Sequence, residues 1–161
     1  MAHARCEDVG INRLIADGNQ VLDDGSWPAR LGVALRHIGT GMTKAEVDEL
    51  CLRLNLSELF AYRTCITQRT EEVMVELASD ELLHELTPKR LQQVFVEEGA
   101  GGVAADQLFE LYYGHTKGWL LGHLALTHNY YHIGQAFAAR AMYGCRIHGN
   151  KTINITKRSK V

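Results

Sequence analysis

Proline is almost missing from this chain: Pro28 and Pro88 are the only two among its 161 residues. Each stands where a helix can begin, since proline tolerates the first helical turn and little else of regular structure. Strict polar/apolar alternation is scarce, which speaks against strands. The four cysteines, Cys6, Cys51, Cys65 and Cys145, form no Cys-x-x-Cys pair. A zinc knuckle is therefore not expected, and free, partly buried thiols are. No apolar run approaches the roughly 20 residues of a transmembrane helix, so no membrane partner is expected. The N-terminus lacks the apolar stretch of a signal peptide, which points to a cytoplasmic protein. A formal charge of −2 argues against nucleic-acid binding. Gly99 to Gly102 lacks the Lys-Ser/Thr ending of a phosphate loop. There is no internal repeat.

What is present is helical spacing. A first helix is expected at about residues 4 to 22, with Val9, Leu14 and Val21 on its apolar stripe. A short helix from Pro28 to His37 should follow. Thr43 and Glu46 match a capping box opening a helix to about Leu54. Asn55 to Ser57 should cap a long helix through Ala78, its core stripe Leu59, Ile66, Val73 and Leu77. Thr87-Pro88 reads as N-cap and first helical residue. After the break at Gly99 to Gly102, a helix should begin near Ala104. The stretch Gly114 to Gly118 leaves a kink, a turn and a full break all open. The last helix should hold Leu124 to Tyr143, apolar enough to be buried on much of its circumference, with Gly144 as its terminator. The domain is thus placed at 1–144, and 145–161 reads as a polar, basic tail.

Chemistry concentrates in Thr127 to Gln135. His128 and His132 are four residues apart, so their imidazoles share a helical face and can converge on one metal ion. Gln135, a turn further on, can donate or accept a hydrogen bond, and it or Tyr131 can orient a substrate. His123 precedes His128 by five residues, about 140° round an α-helix, and needs a break near Gly122 to join the site. His3, His84 and His148 read as surface imidazoles. Glu58, near the start of the second long helix, is the carboxylate best placed to face the interior.

The run from His128 through His132, Gly134, Gln135 and Arg140 to Gly144 resembles the last helix of the DinB/YfiT-like superfamily, where the pattern is His-x-x-x-His-x-Gly-Gln followed by Arg and a terminal Gly. The resemblance implies an all-α, four-helix bundle with an up-down-down-up path, often a homodimer. It also implies a divalent metal, zinc or nickel, held by three histidines, and thiol-dependent transferase or metal-dependent hydrolase activity on a small molecule. Two of those histidines match His128 and His132. The third belongs to the second bundle helix, matched here by Leu56 to Thr64, where Phe60 or Tyr62 takes its place. Glu58 is then the substitute ligand, with His37 and His115 as further alternatives. The competing expectation is a metal-free bundle serving binding or dimerisation.

Overall fold

The computed structural model describes residues 1–142; the expected tail, Gly144 and Tyr143 lie outside them. The described chain is all-helical. Its one β pairing is an isolated antiparallel bridge between Glu85 and Thr116, and no helix in it is long and apolar enough to cross a membrane.

Helix α1 (Ala2–Glu7) continues without interruption into a π-helical segment, Asp8–Ile15. The helix therefore ends seven residues before the expected position 22. Asp17 adopts a left-handed backbone (φ 56°), and Gly18 N–H closes onto the Asn12 carbonyl. Val9 and Leu14 are buried on the helix as expected. Val21 is buried too, but in a separate 3₁₀ turn, Val21–Asp23.

Helix α2 (Trp27–Leu31) is also shorter than expected. Gly32 stops it at φ 72°, and a Cβ there would lie 2.7 Å from the Arg53 carbonyl oxygen. Two requirements thus fall on one glycine: a left-handed backbone and no side chain.

Helices α3 (Lys44–Arg53) and α4 (Leu56–Glu76) follow the expected plan. Thr43 and Glu46 form the complete capping box, and the Asn55 side chain accepts from Ser57 and Glu58 N–H. Ile66 and Val73 are buried on α4. Helix α5 (Pro88–Gln92) starts from the Thr87 cap and runs into a second π segment, Gln93–Glu97. Helix α6 (Ala105–Tyr112) follows the glycine break. Between Gly114 and Gly118 the chain breaks fully, and Thr116 caps helix α7 (Lys117–Gly122). From there one helical path passes through a third π segment, His123–Thr127, into α8 (His128–Met142).

The N-terminal helix lies at the centre. Its π segment packs on α4 and α7, and α1 meets α4 and the segment His123–Thr127. One apolar cluster joins Val9, Ile11 and Leu14 to Phe95, Leu108, Leu120 and Leu124. A second joins Ala4, Leu22, Trp27 and Leu31 to Tyr62 and Ile66.

Between the clusters runs a buried polar network. Arg5 is fully buried and reaches Asp8 at 2.9 Å, the Tyr62 hydroxyl at 3.0 Å, Gln20 and the Arg36 carbonyl. Asp8 accepts in turn from Tyr62, Asn12 and the N–H groups of Val21 and Leu22. A buried ion pair persists only when its remaining hydrogen-bonding capacity is filled. Here the filling also ties the first helix to α4 through Tyr62.

Helix α8 departs from expectation. It was expected to be largely enclosed, yet none of its residues is buried. Along this path Leu124 is the last buried residue among those described.

A candidate imidazole cluster

His128 and His132 face each other as their spacing requires. Their Nε2 atoms are 3.0 Å apart and their ring centres 4.5 Å. Gln135 supports the pair from one turn away, its Oε1 2.9 Å from His132 Nδ1. An amide oxygen only accepts, so in this contact Nδ1 carries the proton. Tyr131 packs edge-on against His132 with its ring 63% exposed.

The third imidazole is His3. Expected on the surface, it is instead half-buried, its ring centre 5.3 Å from His128 and 5.9 Å from His132. Its Nε2 is buried and has no hydrogen-bond partner. Asn129, Glu7 and Arg63 stand close by. Glu7 and Arg63 form an ion pair, and Glu7 also accepts from Thr70, so the polar rim of the cluster is tied to α4. Asn129 is itself fixed by donating to the carbonyls of Leu124 and Ala125 in the π segment.

The π segment also settles the place of His123. Its i→i+5 bonding adds one residue to the turn, so a residue five positions back lies where one four back would in an α-helix. His123 therefore joins the cluster, its ring centre 5.7 Å from His128. Behind it, Trp119 stacks on His123 at 5.0 Å and His115 stacks on Trp119 at 3.7 Å. The rings form a ladder along one face of the final helix. Tyr112 meets both Trp119 and His123 from the core side.

Burial and neighbouring charge favour the uncharged form of three of these rings, His128, His3 and His123. His128 is pushed down to about 4, first by burial and then by the neighbouring imidazoles His132, His3 and His123. Burial also lowers His3, with Arg63 adding to it, and lowers His123, with His115 adding to it. Uncharged imidazoles are the form in which histidine binds a metal.

The other expected ligands are used elsewhere. Glu58 is bound to Arg30 at 2.6 Å, an ion pair linking α4 to α2. Tyr62 is sealed in the Arg5–Asp8 network, and Phe60 is 72% exposed. Neither stands in place of a ligand, because the helix facing His128 and His132 is α1. His37 accepts from Gly39 N–H through Nδ1 in a loop, and His115 meets the ladder only through Trp119. Burial pushes the Cys6 thiol up to about 11, which favours the thiol over the thiolate.

Two imidazoles on one ion at a metal–nitrogen distance of about 2.0–2.1 Å hold their ring centres roughly 4.5–6 Å apart. The three separations among His3, His128 and His132 fall in that range. Among the described residues, however, no group of three or more His, Cys, Asp or Glu side chains is placed as it would have to be to hold a metal ion. The chain matches no protein-family model, no curated protein and no solved structure.

Proposed function

We propose that His128, His132 and His3 hold a divalent transition-metal ion, zinc or nickel, in a DinB-like helical bundle whose activity is metal-dependent transfer or hydrolysis. The reading is supported above all by the buried, unpartnered Nε2 of His3 beside two imidazoles whose own Nε2 atoms nearly touch. An unpaired buried nitrogen costs about 1–3 kcal/mol unless something binds it. A cation shared by the three rings would remove that cost at His3.

His3, His128 and His132 would hold the ion, which would supply Lewis-acid chemistry by lowering the pKa of a water or thiol. The remaining side chains have definable tasks. Gln135 holds the tautomer of His132, the supporting contact that metal-binding histidines regularly make. Tyr131 stands at the exposed edge, where it can position a small-molecule or thiol substrate.

Metal analysis of untagged protein tests the reading. The wild-type chain is expected to carry about one ion, His128→Ala and His132→Ala to carry none, and His3→Ala to bind markedly more weakly. Wild-type protein that remains metal-free after exposure to zinc and nickel would overturn it.

A further inference from the structure

All 19 acidic residues of the chain lie at or before Glu110, whereas seven of its 17 lysines and arginines come after it. Six of those seven fall between 140 and 161: Arg140, Arg146, Lys151, Lys157, Arg158 and Lys160. A sequence of net charge −2 thus keeps a strongly cationic end. Helix α8 leads directly into it, and none of α8 is buried. One face of the helix is apolar: Tyr130 (71% exposed), Ile133 (50%) and Phe137 (60%) follow at three- and four-residue spacing. Leu126, just before the helix, is exposed as well. Arg140 takes the next position on the same face. His128, His132 and Gln135 lie on the opposite face, so the imidazole cluster does not use this surface.

We infer that this face of α8 lies on an anionic lipid bilayer, with Tyr130, Ile133 and Phe137 set among the headgroups and the cations of residues 140–161 on lipid phosphate and carboxylate. Three observations select that partner. An aromatic and aliphatic stripe followed by cations is what an interfacial helix presents, apolar side chains toward the acyl boundary and basic ones toward the headgroups. No carboxylate after Glu110 repels an anionic surface there. Nucleic acid would satisfy the cations alone and leave the stripe in water, because phosphates do not cover Ile133 or Phe137. Lying on a bilayer is distinct from crossing it: α8 has 15 residues, short of the roughly 20 that a span needs, and one of its faces is polar.

Co-sedimentation of the full chain with lipid vesicles tests the inference. The chain is expected to bind vesicles of phosphatidylcholine and phosphatidylserine at least ~10-fold more tightly than phosphatidylcholine alone. That preference should vanish in about 1 M salt, where charges are screened beyond about 3 Å. Ile133→Ser combined with Phe137→Ser should weaken binding to the mixed vesicles ~10-fold or more. Both side chains are exposed, so circular dichroism should show unchanged helix content. Lys157→Ser combined with Arg158→Ser should weaken binding ~10-fold and flatten its salt dependence. Leu52→Ser, at an exposed position of α3, should bind as the wild type does. A wild type that stays off the mixed vesicles at low salt, whether monomeric or self-associated, would overturn the inference. So would binding that the paired α8 substitutions leave intact, or a tighter hold on duplex DNA or RNA than on the mixed vesicles.

Discussion

His3 and Tyr62 show how single side chains here take their meaning from tertiary contacts. His128 and His132 could be paired on paper because a four-residue spacing on a helix is a local fact. The meeting of position 3 with position 128 is not local, and spacing alone does not show it. A hint was present. His3 heads the helical series Cys6, Gly10 and Leu14, and those three residues line one small cavity in the core. The side chain was therefore on an inward-facing stripe. Tyr62 was on the expected helix but not in the expected role. Its hydroxyl donates to Asp8 at 2.5 Å and accepts from Arg5 at 3.0 Å. Replacing it with phenylalanine leaves a buried ion pair one partner short. Tyr62→Phe should lower stability by about 1–3 kcal/mol, read by urea denaturation. Loss of under about 0.5 kcal/mol would show that the network relaxes around the missing hydroxyl.

The capped starts of α3, α4 and α5 were legible because caps are written in three or four consecutive residues. The π segments were not, because the extra residue in such a turn leaves no local signature and is held by packing. The segment His123–Thr127 makes a paired prediction possible. Deleting Ala125 should return the path to an α-helix while leaving His123 and His128 on one face, now four residues apart. Inserting one alanine after Ala125 should instead turn His128 and His132 by about 100° from His3. The deletion should keep metal affinity within a few-fold, and the insertion should weaken it ~100-fold or more, by isothermal titration with zinc. Equal effects would show that the π turn does not set the register. A second inter-element contact has a pH signature. Arg13 holds Glu98 across from the first helix to the end of the second π segment and keeps its carboxyl below the ordinary value of 4.5. A carboxyl with a depressed folded pKa stabilises the fold above its unfolded pKa and loses that contribution as pH falls. Glu98→Gln should therefore lower the melting temperature at pH 7, and the gap to the wild type should close as pH falls through and below the ordinary carboxylate range. A constant difference across that range would remove the ion pair as its cause.

Across the whole molecule, the all-helical class could be read from scarce proline, scarce alternation and frequent caps. The exposure of the last helix could not, because an apolar sequence reports a demand for burial and not whether the same chain meets it. The same distinction applies to the tightest approach in the body. At Gly10, a Cβ would lie 2.2 Å from Leu124 Cδ1, both within the core that joins the first helix to the last. Gly10→Ala should cost about 1–3 kcal/mol from overpacking, measured by thermal melting. It should also reduce zinc affinity, although neither residue is an imidazole. Normal affinity in a destabilised variant would separate the two effects.

That glycine is then a spacer as thin as chemistry allows, set two helical turns below the rings. Thickening it by a methyl group would act as a shim in a hinge, spreading the jaws by a fraction of an ångström. The grip on an ion would be adjustable from a position that carries no reactive atom.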